Sequence, residues 1–228
     1  MTGMGVFDEC TRAQLHAHAR HYYKQGGATE PEVALVEIAG DKAILKDYGR
    51  TPGWFGRWLA PLLIWREATA LEQLDGLPGI PRLYRRLDRR AVLMEYLPAQ
   101  AWNKMRPEDA SYARLAELIA AMHARGVAHC DMRAPSNILV TADGGPCIVD
   151  FVARVRRGGD WNLPWNWLFA RFCAADDSAL IKLKQRYAEH LLTSSERETL
   201  GQRGVLERMA RWVGANTRRL TRYFVGRD

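Results

Sequence analysis

The chain has 228 residues, 47% of them hydrophobic and 26% charged, which suits one large domain or two small lobes and excludes a disordered chain as the default. A formal net charge of +7 and a pI near 9.4 favour polyanionic company (nucleotide phosphates, anionic lipid or nucleic acid) without choosing among them. The scattered cysteines Cys10, Cys130, Cys147 and Cys173 lack zinc-ligand spacing, Met1 to Arg12 has no signal-peptide design, and no apolar run reaches the roughly 18 residues of a membrane span, so a cytoplasmic protein is expected.

In chain order, Thr11 to Lys24 is predicted as a helix ending at Gly26-Gly27. Glu32 to Ile38 and Ala43 to Tyr48 are predicted as a strand pair joined by a turn at Gly40-Asp41. From about Leu59 to Leu74 apolar residues recur at helical spacing, and Gly76 and Pro78 close that stretch. Pro81 to Arg86 and Ala91 to Tyr96 read as two more strands, with Pro98 ending the sheet. Pro107 suits a first helical turn, and Leu115, Leu118, Ile119 and Met122 share one helical face before Gly126. Short strands are predicted at Ile138-Leu139-Val140 and Cys147-Ile148-Val149 around an Asp143-Gly144-Gly145-Pro146 turn, and two or three helices after Trp161.

The richest chemistry lies in His129-Cys130-Asp131-Met132-Arg133-Ala134-Pro135-Ser136-Asn137, followed by Asp150-Phe151. Two acids, an amide, a cation and a histidine flank a tight hairpin. Phosphoryl transfer needs such a set: a carboxylate to orient an attacking hydroxyl, oxygen ligands for magnesium, and a cation facing the transferred group.

These residues resemble the catalytic loop and metal motif of the protein-kinase superfamily, H-R-D-L-x-x-x-N and D-F-G. The resemblance implies that Asp131 is the catalytic carboxylate, that Asn137 and Asp150 hold Mg2+, that Arg133 stands where many protein kinases place a lysine near the γ-phosphate, and that His129 props the loop. It further implies that Lys46, in an Ala-Ile-Leu-Lys strand, grips the ATP phosphates with Glu67 as its partner and Glu72 as the fallback. Backbone groups of Glu95 and Leu97, in a hinge-like Leu93-Met94-Glu95-Tyr96-Leu97, would meet adenine. The implied fold is α+β and two-lobed: a small antiparallel-sheet N-lobe with one helix over 1–96 and a mainly helical C-lobe over 97–228.

The sequence departs from the pattern in several places. Asp131 to Asn137 is one residue longer than usual, Val152 replaces the glycine after Asp-Phe, no G-x-G-x-x-G precedes the lysine strand, and no A-P-E follows Asp150. These departures resemble the compact atypical branch, RIO kinases and bacterial lipopolysaccharide core (Kdo/heptose) kinases, and the basic aromatic run Trp54-Phe55-Gly56-Arg57-Trp58 is similar to the latter. The acceptor so implied is a hydroxyl, of a lipopolysaccharide core sugar first and of a protein serine or threonine second; a nucleotide-binding scaffold without turnover is the third alternative. Nucleic acid is not expected as a partner, since it leaves Asp131, Asn137 and Asp150 unexplained. Trp54, Phe55, Trp58, Trp161, Trp165 and Trp167 are either interfacial aromatics at the inner face of a membrane or packing residues, and Arg211, Arg218, Arg219, Arg222 and Arg227 add positive charge.

Overall fold

A computed structural model describes residues 4–201 of the chain. After a single turn, α1 (Met4–Phe7), Thr11 caps α2 (Arg12–Ala17) reciprocally: its side chain accepts from the Gln14 N–H, and the Gln14 side chain accepts from the Thr11 N–H. The helix expected as far as Lys24 is corrected here. Ala19–Gln25 is strand β1, paired antiparallel with β2 (Glu32–Ile38). Arg20 to Lys24 carry no apolar stripe of helical period, and the aromatic run His21-Tyr22-Tyr23 suits a pleated surface. Most of β1 faces solvent, so main-chain pairing to β2 holds this edge strand.

Strand β3 (Asp41–Asp47) returns from β2 through Ala39 (φ 53°) and Gly40 (φ 91°), a two-residue turn with both central residues in the left-handed region. A π-helical turn over Phe55–Leu59 then runs into α3 (Ala60–Gln73), with Pro61 in its first turn. Gly56 is required there, because a Cβ would lie 2.0 Å from the Thr51 carbonyl oxygen. Strands β4 (Leu83–Arg86) and β5 (Ala91–Glu95) complete a five-stranded antiparallel sheet of order β1-β2-β3-β5-β4. Phe7, Leu15, Val36, Ala43, Leu45 and Leu93 form the core under this sheet.

Beyond Pro98 come β6 (Ala99–Ala101) and α4 (Asp109–Ala124), which starts after Glu108 rather than at Pro107. The chain continues through β7 (Val127–Ala128), β8 (Ile138–Thr141), β9 (Pro146–Ile148) and β10 (Val155–Arg156) to α5 (Leu163–Tyr187) and α6 (Ser194–Gly201). β6, β8 and β9 make a three-stranded sheet, and β7 pairs with β10. α4 buries Leu115, Ile119 and Met122, and Tyr112 meets Trp102 edge-on at 5.1 Å.

The chain divides into two compact units, one running to Leu180 and one from Ile181. Every candidate site residue belongs to the first. The second contains a Thr193/Glu196 cap on α6 and a Lys184–Glu196 ion pair at 2.7 Å. Trp54, Trp58, Trp161, Trp165 and Trp167 are exposed, although Trp165 Nε1 donates to the Arg156 carbonyl at 2.9 Å and Trp167 lies under the Arg171 guanidinium; Phe55 is buried. Arg211, Arg218, Arg219, Arg222 and Arg227 lie outside the described residues. Among the described residues no helix is long and apolar enough to cross a membrane.

Candidate active site

Alternation along β3 turns Lys46 inward, where it is buried. Its Nζ lies 2.6 Å from Glu67 Oε2 of α3 and 2.9 Å from Asp150 Oδ1, just past β9. Burial disfavours the ammonium, but the two carboxylates outweigh it and hold the Lys46 pKa above the ordinary lysine range. Burial likewise pushes Asp150 up, and Lys46 overrides it, leaving that carboxyl below its ordinary value. Glu72 plays no part: it takes both oxygens to Arg86 at 2.9 Å. Helical spacing explains the choice, since Glu67 sits on the buried face of α3 with Ile64, Ala68 and Leu71.

Asp150 has φ 68° and ψ 71°, a left-handed conformation that a non-glycine residue adopts only under constraint. It is held on both sides, by the Lys46 ion pair and by Phe151, which is buried with its ring 4.9 Å from that of His129. Val152 lies in the short 3-10 turn Phe151–Ala153 and is not among the positive-φ residues, so the freedom of the glycine it replaces is not used. Its carbonyl accepts from Arg66 Nε at 2.7 Å, and Arg66 also donates to the Arg154 carbonyl. Arg154 reciprocates: its Nε donates to the Arg66 carbonyl at 2.7 Å and its Nη2 to Thr69. This arginine pair fastens the segment after Asp150 to α3, which also presents Glu67.

The loop from His129 to Asn137 is held as tightly. His129 Nε2 donates to the Val149 carbonyl at 3.0 Å, and its Nδ1 accepts the Asp131 N–H at 3.2 Å, which fixes the tautomer. The His129 and Cys130 N–H groups both donate to the carboxylate of Asp176, at 2.7 and 2.9 Å, and Cys130 has φ 70°. The extra residue between Asp131 and Asn137 is absorbed by two successive turns, Ala134 N–H to the Asp131 carbonyl (3.3 Å) and Asn137 N–H to the Ala134 carbonyl (3.0 Å). Asn137 is buried, and its Nδ2 donates to the carbonyl and Oδ2 of Asp131 at 3.0 and 3.2 Å. Asp131 and Arg133 lie on the exposed side of these turns.

Two oxygen donors suit a hard cation. The Val149 N–H donates to the Asn137 carbonyl at 3.0 Å, so the residue next to Asp150 is bonded directly to Asn137. A carboxylate and an amide oxygen fit Mg2+, which retains waters and shares its shell with phosphates. Among the described residues no group of three or more His, Cys, Asp or Glu forms a metal cluster. At the end of β5, Glu95 commits its N–H to the Arg82 carbonyl (2.9 Å) and a carboxylate oxygen to the Arg82 N–H (3.0 Å). The Leu97 carbonyl accepts from the Ala99 N–H at 2.8 Å. Gly26-Gly27 lie in the β1–β2 connection, where Gly27 N–H donates to the Glu30 carbonyl at 3.0 Å. The cavity of about 310 Å³ beside this loop is lined by Glu30, Glu32 and Asp47 together with Arg50, which pairs with Glu32 at 3.5 Å.

Sequence reasoning missed Asp176, His123, Arg66 and Arg154. Asp176 left a signal: it stands seven residues after Phe169 and four before Leu180, on the buried face of α5, where an acid needs partners. His123 Nε2 meets it at 3.1 Å. Burial lowers the His123 pKa, but hydrogen bonds to Asp176 and Cys173 raise it further, to about 9. The folded chain therefore holds a proton that the unfolded chain releases near the ordinary value of 6.5. That stabilisation is fully present below pH 6.5 and is lost as pH rises towards about 9. The melting temperature should fall across this window in the parent and fall less in His123→Gln; equal slopes would remove His123 from the account.

No family model and no curated protein matches the sequence. Solved structures do resemble it. The crystal structure of the Rio2 kinase from Chaetomium thermophilum superposes with a TM-score of 0.58 at 20% identity, over 79% of this chain and 62% of that one. The Rio2 kinase–ADP/Mg2+–phosphoaspartate complex from the same organism gives a TM-score of 0.56 at 19% identity, over 93% of this chain and 74% of that one. The chain thus spans less than two thirds of the first structure. The likeness establishes the architecture: this is the two-lobed, α+β protein-kinase-like fold.

Proposed function

We propose that the chain is an ATP- and Mg2+-dependent phosphotransferase acting on a hydroxyl acceptor. The observation that carries this reading is the buried Lys46 ion-paired at once to Glu67 and Asp150, with Asn137 bonded beside them. In this reading Lys46 holds the α- and β-phosphates, and Glu67 fixes the direction of its ammonium. Leu97 donates its N–H to adenine, and the carbonyl of Glu95 accepts from it. Asp150 and Asn137 hold Mg2+, which offsets charge on the phosphates. Asp131 orients the acceptor hydroxyl and takes its proton, Arg133 faces the transferred phosphoryl group, and His129 keeps the loop in place. The lobe boundary falls at residues 96/97, directly after β5.

The acceptor class we place first is a lipopolysaccharide core sugar presented at the inner face of a membrane, with the protein in the cytoplasm. Its support is the basic balance, the free cysteines and the exposed tryptophans. A protein serine or threonine is the second, favoured by the Rio2-like architecture. Label from [γ-32P]ATP decides between them. Label in core oligosaccharide supports the first, and label only in protein supports the second. No transfer from an enzyme that still binds Mg–ATP would leave a nucleotide-binding scaffold.

A further inference from the structure

Between Asp47 and Glu67 the chain has three arginines, Arg50, Arg57 and Arg66, and no acid. This segment runs through the π-turn into α3, and Trp54, Trp58, Leu62 and Trp65 recur at i, i+4, i+8 and i+11, one helical face. All four are exposed, by 46%, 71%, 46% and 48%. Trp65 meets the Arg154 guanidinium at 5.9 Å and Trp54 meets Phe55 edge-on at 5.9 Å, yet all four side chains keep a large exposed apolar surface on one solvent face, which the phosphotransfer site does not require. On the adjoining face, Arg57 joins Arg89 and Arg90 around a cavity of about 430 Å³, and no carboxylate lines it.

We infer that this face seats on the surface of an anionic phospholipid bilayer, with the indoles at headgroup level and a lipid phosphate in the arginine-lined cavity. Amphipathic aromatic rings beside arginines are the pattern that holds a helix in the plane of such an interface. Spanning is excluded for this segment, since no described helix is long and apolar enough. Charge selects lipid over the chain's own C-terminal residues as the occupant. Residues 202–228 carry seven arginines against Glu207 and Asp228, so they are repelled by the same arginines that attract a lipid phosphate. The inference gives a surface to the membrane contact of the functional reading, and it requires no phosphoryl transfer.

The test is co-sedimentation of the full chain with phosphatidylcholine vesicles and with vesicles that also contain phosphatidylglycerol. The parent should sediment with the anionic vesicles only, and salt should release it. Trp54→Ser/Trp58→Ser should lower the partition coefficient about a hundredfold. Arg57→Gln and Arg89→Gln should each lower it about fivefold. Stabilisation by Mg–ATP, measured on the same variants, should match the parent; this separates lost docking from lost folding, and failure of docking from failure of the kinase reading. Equal binding to neutral vesicles, no binding, or full binding by the double variant would overturn the inference. So would a dimer that ignores vesicles and dissolves in the double variant, since the face would then be a contact between copies.

Discussion

Asp131→Ala should abolish phosphoryl transfer, by about a thousandfold or more, while Mg–ATP affinity stays close to that of the parent. The geometry makes this a clean substitution. Asp131 holds the loop mainly through its backbone: its N–H donates to His129 Nδ1, and its carbonyl accepts from Ala134 and Asn137. The bond from Asn137 Nδ2 to Oδ2 is lost with the side chain, while these backbone bonds remain. The loop is also anchored from behind by Asp176, so the fold should persist. Asp131→Asn sharpens the experiment, because an amide can still accept from Asn137 but cannot take up a proton at neutral pH. It should be nearly as inactive as the alanine variant. Transfer by Asp131→Ala at the parent rate would remove Asp131 from the chemistry.

Lys46→Met should combine two losses, in nucleotide binding and in stability. Glu67 is almost fully buried, and burial pushes its carboxyl up even with Lys46 pulling it down. Without the ammonium, Glu67 must be ionised in an apolar site or take up a proton. Breaking a buried pair from one side costs about 3–5 kcal/mol, or roughly 10 °C in a chain of this size. The folded-state pKa is then raised above the unfolded one, so stability is retained below about pH 4.5 and lost as pH rises. Adding Glu67→Gln to Lys46→Met should restore most of the melting temperature and flatten its pH dependence without restoring nucleotide binding. If Lys46→Met melted with the parent at pH 8, the buried pair would not have the role given to it.

Lys46, Glu67, Asn137 and Asp150 were legible because each belongs to a local pattern and the patterns occur in a fixed order. The structure brings Lys46, Glu67 and Asp150 within ion-pair distance, and Glu67 rather than Glu72 follows from the face of α3 alone. β1 was not legible: nearly all its side chains face water, and its pairing with β2 is not contained in local propensity. Val152 and the lengthened Asp131–Asn137 spacing looked like defects in the motif. Each is accommodated by bonds made elsewhere, from Arg66 across to the Val152 carbonyl and through the turns around Ala134. Arg66 and Arg154 are adjacent only in space, and no spacing rule announces them. The tryptophans were legible as a group, but their exposure was not, because an apolar residue at helical spacing is usually core.

The central claim is that Asp150 and Lys46 build a magnesium-dependent nucleotide site. Melting of the full chain with ATP, with and without Mg2+, tests it most directly, with Asp150→Ala alongside. A ligand bound only to the folded state stabilises it by about 2.7 kcal/mol at a hundredfold excess over Kd, some 5–10 °C here. The account predicts a shift of that order for the parent with Mg–ATP, a smaller one without Mg2+, and no effect of Mg2+ in Asp150→Ala. No shift in the parent at millimolar Mg–ATP, or an equal magnesium-dependent shift in Asp150→Ala, would contradict it.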